Sequence, residues 1–197
     1  GRVSSIMDIK TKDGNKKRIQ GKLSSNTFGS KLLLEGPFKV DGNSSFLFSG
    51  KTSYLDKTSE IIYDFPMPYS YTDLYGKFTF GSQNGSKANI FGFNFQDNVN
   101  YQGVSDLQWN SFGLGSDFLL IPGNSPVLIE GNFAYSKYHI TLEEISSPLR
   151  ESSIAGGSMG FDFTSFQPKG KIKYGFDVYS FLTEFKTYNS ANAIIEQ

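Results

Sequence analysis

The chain has 197 residues, equal numbers of acidic and basic side chains (19 each), no cysteine, and many aromatic and glycine residues (19 Phe, 11 Tyr, 1 Trp and 21 Gly). The balanced charge argues against a nucleic-acid partner, which needs a basic surface. The lack of cysteine excludes disulfides and thiolate chemistry, and no apolar run reaches the ~18 residues of a membrane-spanning helix. Abundant Phe, Tyr, Gly, Asn and Ser favour short alternating strands joined by turns.

Apolar and polar side chains alternate along most of the chain. In Ile129 to Ser136, for example, Ile, Gly, Phe and Tyr alternate with Glu, Asn, Ala and Ser. Because successive side chains on a strand point to opposite faces, this period predicts a sheet with one apolar, aromatic face, to which we assign Phe78, Phe80, Phe91, Phe93 and Phe95. Nine strands are predicted, with a tenth beginning at Ala191: 17–26, 29–40, 44–54, 71–82, 86–97, 105–120, 126–141, 151–165 and 169–185.

Short and long connections alternate between these strands. Tight-turn residues occur at Asp41–Ser44, Gln83–Ser86, Pro122–Ser125 and Gln167–Gly170, and longer polar stretches at Leu55–Ser70, Asn98–Val104 and Glu143–Arg150. Short periplasmic turns and longer extracellular loops are typical of transmembrane β-barrels. A girdle of tyrosines is expected at the long-loop ends: Tyr54, Tyr63, Tyr69, Tyr71 and Tyr101. The predicted fold class is therefore all-β, an antiparallel transmembrane β-barrel that is partial, because nine or ten strands would leave an unpaired edge.

Two stretches resemble a known family. Gly1 to Asn15, which reads GRVSSIMDIKTKDGN, looks like the last strand of a plug domain. Ser30–Pro37 (SKLLLEGP) and Ser45–Asp56 (SFLFSGKTSYLD) resemble a first barrel hairpin, with Lys51 where Arg is more usual. Both are similar to TonB-dependent outer-membrane receptors of the Bacteroidetes type. The resemblance implies that residues 1–15 end a plug domain and that residues 16–197 form the N-terminal part of a barrel in the bacterial outer membrane.

The same resemblance implies function and partners. It implies energy-coupled uptake of a scarce ligand, such as a siderophore, vitamin, glycan or peptide. The partners would be outer-membrane lipid, an extracellular ligand, and a TonB-type energising complex that is reached through parts of the protein outside this chain. If residues 3–12 are the final plug strand, the chain enters the barrel from the periplasm near Gly14, which places the tight turns inside and the longer loops outside.

No catalytic motif is present in the sequence. Neither a phosphate-binding loop, a metalloprotease helix nor a nucleophile elbow occurs, and a single histidine, His139, has no placed partner, so the chain is interpreted as a non-enzyme without cofactor or metal. Ligand contacts are expected on the long loop after the third strand, with Tyr63, Asp64, Tyr69 and Tyr71 as candidates.

Two alternatives remain open at this point. One is a small, complete outer-membrane barrel of ten strands with a passive or structural role. The other is a soluble β-sandwich that binds carbohydrate, because sandwiches also alternate apolar and polar side chains.

Overall fold

A computed structural model describes residues 9–38, 42–123, 125–145, 147–188 and 194–196 of the chain. The described residues form ten strands and one helix: β1 (Gln20–Ser25), β2 (Gly29–Pro37), β3 (Ser45–Ser53), α1 (Leu55–Tyr63), β4 (Tyr69–Gly81), β5 (Lys87–Tyr101), β6 (Ser105–Leu120), β7 (Val127–Glu144), β8 (Ser147–Gln167), β9 (Gly170–Tyr188) and β10 (Ile194–Glu196). Each strand pairs antiparallel with the next in one sheet ordered β1 to β10.

The predicted all-β antiparallel meander is confirmed, and nine strands lie where the alternation places them. β1 pairs with β2 and β10 with β9, but not with each other, so the described sheet is open. The tight turns are also found where they were predicted. Gly85 adopts φ 88°, and its amide donates to the Ser82 carbonyl, as a tight Asn-Gly turn requires. Asp41, Asn124 and the predicted start of the tenth strand at Ala191 lie outside the described residues.

The prediction of long loops at Asn98–Val104 and Glu143–Arg150 is wrong, because most of these residues belong to strands. β5 continues to Tyr101 and β6 begins at Ser105, while β7 runs to Glu144 and β8 begins at Ser147. Polar side chains extend these hairpins by pairing across the strands, as the Asn100 amide does with the Asp106 carboxylate at 2.9 Å. A polar composition predicts a loop, but cross-strand hydrogen bonds stabilise polar strands equally well.

The stretch 55–70 contains the helix α1. The helix begins after Tyr54, whose carbonyl accepts from Lys57 and Thr58, and ends at Asp64, which adopts the left-handed conformation with φ 55°. The hydroxyl of the fully buried Ser59 accepts from the amide of Met67 at 2.7 Å. This bond fastens the following segment back onto the helix.

The strand register divides the side chains between two faces. One face, called here the Lys77 face, contains the row Glu35, Leu47, Lys77, Phe91, Gly115, Ala134, Ser158 and Tyr179. The other, called the Leu114 face, contains the row Leu34, Phe48, Gly76, Gly92, Leu114, Tyr135, Gly157 and Ser180. Every second residue of each strand belongs to the same face as its row.

The Leu114 face has two zones along the strands. Toward the tight turns it is an apolar band whose members include Leu74, Phe78, Ile90, Phe118, Phe133, Met159, Phe161, Phe176 and Val178. Toward α1 it becomes polar at one row that crosses nine strands, called here the polar row: Ser25, Ser30, Thr52, Thr72, Gln96, Asn110, His139, Ser153 and Glu184. Lys137 lies on the first row of the band, next to the polar row, and no other described residue of the band is charged.

The register corrects two expectations about the faces. Phe91, Phe93 and Phe95 lie opposite Lys77, Tyr75 and Asp73, so these three rings belong to the Lys77 face and not with Phe78 and Phe80. Alternation within β5 shows that its side chains divide between two faces. Only the pairing with β4 shows which side chains of β5 share a face with Phe78. Tyr69, Tyr71 and Tyr101 likewise project from the Lys77 face, so these three tyrosines of the expected girdle do not lie on the apolar face. The Tyr54 hydroxyl, by contrast, contacts Ser25 and Ser30 of the polar row.

Residues 9–19 precede the sheet and contain no strand, so the strand expected over residues 3–12 is not formed over its described part, 9–12. The assignment of residues 1–15 to the end of a plug domain stays a prediction. This segment lies against the Lys77 face, where a side chain at Gly14 would overlap the carbonyl of Phe46. Leu47 and Val99 are the buried apolar side chains among the described residues, whereas many large apolar side chains are exposed. No described helix is long and apolar enough to cross a membrane.

Candidate functional site

The Lys77 face holds a buried polar cluster beneath the segment 9–19. Asp13 accepts from Lys77 at 3.0 Å and from Lys87 at 2.8 Å, and the Lys77 side chain is 7% exposed. Lys77 also donates to the carbonyl of Thr11 at 3.1 Å. Burial raises the pKa of Asp13, but hydrogen bonds and charge from Lys87 and Lys77 outweigh it and hold that pKa below its ordinary value.

A second contact fastens the same segment to β2. Lys12 donates to both carboxylate oxygens of Glu35, at 2.8 and 2.9 Å, and Gln20 donates to the same group at 2.6 Å. Glu35 is 3% exposed, so its charge is satisfied by these donors rather than by water. The segment is therefore held by two charged anchors as well as by the close approach at Gly14.

Polar side chains continue along the row below Asp13. Thr79 lies within 2.9 Å of the Asn89 side-chain oxygen, and the Asn89 amide donates to Asp117 at 2.6 Å. Thr79 is fully buried and Asn89 is 5% exposed. Hydrogen bonds therefore run across β4, β5 and β6 on the covered part of this face.

An aromatic and charged cluster lies further along the Lys77 face, toward α1. The ammonium of Lys51 lies 4.4 Å from the ring centre of Tyr71 and 3.6 Å from the Asp73 carboxylate. In the next strands Asp97 lies opposite Tyr71 on one side and opposite Trp109 on the other. This Lys51 cluster combines aromatic faces, carboxylates and a cation, which suits a polar ligand with both apolar and hydroxyl or charged groups.

The four ligand-contact candidates do not form one site. Tyr71 belongs to the Lys51 cluster, and the Tyr69 hydroxyl lies 3.3 Å from that of Tyr101. Tyr63 ends α1 with 57% of its surface exposed, and Asp64 follows as its cap. No hydrogen bond, ion pair or ring contact joins Tyr63 or Asp64 to Tyr69 or Tyr71 within the described ranges. Sequence reasoning missed Lys51, Asp73, Asp97 and Trp109, because only the register places them together.

The single histidine lies in the polar row of the Leu114 face. His139 Nε2 is 3.2 Å from the Thr141 hydroxyl, and Ser136 projects from the opposite face. No serine–histidine pair is therefore formed by those two residues. Among the described residues no group of three His, Cys, Asp or Glu side chains could hold a metal ion.

None of the protein-family models, curated proteins or solved structures with which the chain was compared matches it. A function must therefore be argued from the two faces of the sheet and the residues they carry.

Proposed function

We propose that this sheet is part of the wall of an outer-membrane β-barrel, in a receptor of the TonB-dependent type that takes up a scarce ligand in the bacterial outer membrane. The ligand would be a siderophore, vitamin, glycan or peptide, and the energy would come from an inner-membrane complex reached through other parts of the protein. The observation that carries the proposal is the apolar band of the Leu114 face, which no described element covers.

The extent of the exposed surface supports the proposal that one face of the sheet meets a solvent other than water. The chain exposes 13668 Å², whereas a compact soluble monomer of its 21.9 kDa mass exposes about 9300 Å². Leu114 is 54% exposed and Phe176 51%, inside a continuous apolar band. A soluble monomer rarely exposes an apolar patch of more than a few hundred Å², but hydrocarbon solvates such a band without cost.

The height of the band fits a bilayer. On β9 the apolar positions run from Ile172 to Leu182, which is about 33 Å along a strand at ~3.3 Å per residue. A barrel strand is tilted by ~40°, so this length covers about 25 Å of membrane thickness, the usual height of the apolar band of outer-membrane barrels.

The Lys77 face supports the proposal that the protein is a receptor. Its buried charges and its covering segment suit the interior of a plugged barrel rather than a lipid contact. The two stretches that resemble the family also contact each other, because Lys12 of the plug-like sequence binds Glu35 of the barrel-like sequence. The Lys51 cluster, with the exposed Tyr69 and α1 beside it, is the place we assign to ligand contact.

The two alternatives account for less of this geometry. A sandwich would bury an apolar face under a second sheet, and the described strands form one sheet. A small complete barrel would need β1 to pair with β10, and the described register lacks that pair. Because unpaired backbone groups cost several kcal/mol each in hydrocarbon, we propose that further strands complete the sheet at both edges.

Cell fractionation and uptake test the proposal. The full gene product is expected in the outer-membrane fraction after alkaline washing, and deletion of its gene should abolish growth on one limiting nutrient among an iron siderophore, cobalamin, a glycan and a peptide mixture. A protonophore should abolish uptake of that nutrient. Recovery of the protein in a soluble fraction would contradict the membrane assignment, and uptake that survives the protonophore would contradict energy coupling.

A further inference from the structure

We propose that the Leu114 face carries a specific binding groove for one acylated, phosphorylated saccharide lipid, formed by β6, β7 and β8. This inference rests on the proposed function, because it needs the Leu114 face to meet lipid. It goes beyond that function, because the barrel wall would select one lipid rather than only dissolve in the membrane.

Three cavities follow one another along the same strands of this face. The first, of about 380 Å³, is lined by polar residues of this face that include Gln96, Asn110 and Thr141. Asp97 also borders it, but its side chain belongs to the Lys77 face by the register. The second, of about 480 Å³, shares Asn110 and His139 with the first and adds Phe112, Tyr135 and Lys137.

The third cavity is apolar and shares Tyr135 with the second. It has about 550 Å³ and is lined by Leu114, Ser116, Phe133, Gly157, Met159 and Val178 among others. The depression exists because Ser116 and Gly157 are small. A side chain at Gly157 would meet only the carbonyl of Ala134, at 3.9 Å. The three cavities therefore form a groove that begins polar and ends apolar, which is the shape of an amphiphile.

The polar end of the groove selects the head group by its chemistry. Amide and hydroxyl side chains donate and accept hydrogen bonds without charge, as the hydroxyl groups of a sugar require. The Phe112 and Tyr135 side chains, 42% and 46% exposed, present ring surface between the polar and apolar ends. A saccharide with attached acyl chains satisfies both ends at once.

Lys137 adds a cation at the level where a head-group phosphate would lie. It is exposed, and within the described chain it has no hydrogen bond or ion pair. Glu184, the acidic member of the polar row, lies on β9, two strands away from Lys137 on β7, and is within 3.4 Å of the Ser153 hydroxyl. An unpaired ammonium between a saccharide pocket and an apolar groove fits an anionic phosphate, and a lysine near an anionic surface contributes about 1 kcal/mol.

Lipid titration of the whole protein in detergent, followed by native mass spectrometry, tests the groove. The probes are lipid A, a phosphorylated and acylated glucosamine disaccharide, and phosphatidylglycerol, which is anionic but has no sugar. One lipid A molecule is expected to bind, at least about fivefold more tightly than phosphatidylglycerol. Lys137→Gln should weaken lipid A binding by about fivefold, the equivalent of one lost charge contact.

Two further variants keep the test decisive. Gly157→Leu fills the apolar cavity where the backbone leaves space, and should also lower lipid A affinity. Lys171→Gln removes an exposed lysine of the Lys77 face and should leave the affinity unchanged. Equal affinities for the two lipids, or an equal loss in Lys137→Gln and Lys171→Gln, would overturn the groove while leaving the membrane assignment intact. A protein that fails to enter the membrane fraction would overturn both.

Discussion

Phe91 lies directly opposite Lys77 in the register of β4 and β5, so its ring shares a face with a buried ammonium group, whereas Phe78 lies opposite Ile90 on the other face. A phenylalanine therefore does not indicate which face of this sheet carries the apolar band. The rings of Phe91 and Phe93 lie over Gly115 and Gly113, where a side chain would overlap them. Aromatic side chains that cover strand glycines stabilise a sheet on either face.

Arginine substitutions at two neighbouring residues of β7 should distinguish the two faces by their effect on stability. Phe133→Arg places a charge in the apolar band of the Leu114 face and should destabilise the protein by about 2–4 kcal/mol if the position lies near the membrane midplane. Asn132→Arg projects from the Lys77 face, opposite Asp117, and should cost little. Urea unfolding in lipid vesicles measures both, and equal losses would contradict the assignment of the faces.

Gly14 is predicted to be required for docking of the segment 9–19. In Gly14→Ala the new methyl group would overlap the backbone carbonyl of Phe46, and a strand backbone cannot yield as a side chain can. A spin label at Ile9→Cys should become more mobile in the Gly14→Ala background. Gly123→Ala, whose methyl group meets no atom within 4 Å, is the control and should leave the label unchanged.

The ion pairs of Asp13 predict that the attachment of the segment 9–19 to the sheet weakens at low pH. Because the pKa of Asp13 is lowered in the folded protein, its contribution is present above the unfolded pKa of about 3.9 and is lost as pH falls through the lower folded value. The Ile9→Cys label should therefore stay immobile from neutral pH down to about 5 and gain mobility below about 4. Asp13→Asn should show the mobile spectrum at neutral pH as well, since Lys77 would then keep a buried charge without its carboxylate. A label equally immobile at pH 3 and in Asp13→Asn would show that this ion cluster does not hold the segment.

The antiparallel order of the strands places alternate connections at opposite ends of the sheet, and the proposed plug assignment predicts which end is outside. The tight turns after β4, β6 and β8 lie at one end of the sheet, and α1 and the hairpin ends after β5 and β7 lie at the other. In intact cells an impermeant thiol reagent should label Ser147→Cys but not Ser125→Cys, and the absence of cysteine keeps the background low. The reverse labelling would invert the topology, and with it the plug assignment of the segment before β1.

Strand positions could be predicted from the sequence, because alternation and Asn-Gly or Pro-Gly turns are local signals. The faces could not, since Phe91 and Phe78 have the same local pattern and differ only in their partners across the sheet. The Lys51 cluster was missed for the same reason: Lys51, Tyr71 and Trp109 come from three strands, and only the register joins them. α1 was not predicted because its nine residues make only about two and a half helical turns, too short a stretch for a helical period to be recognised in the sequence.

Collision accessibility along β7 tests the membrane assignment most directly. Spin labels at Phe133→Cys and Tyr135→Cys are on the Leu114 face, and labels at Asn132→Cys and Ser136→Cys are on the Lys77 face. In lipid vesicles the first pair should collide preferentially with molecular oxygen, which concentrates in hydrocarbon. The second pair should collide preferentially with a water-soluble nickel complex. Alternation of this kind with the period of the strand is the result that the account predicts; all four labels equally open to the nickel complex, or the opposite alternation, would contradict it.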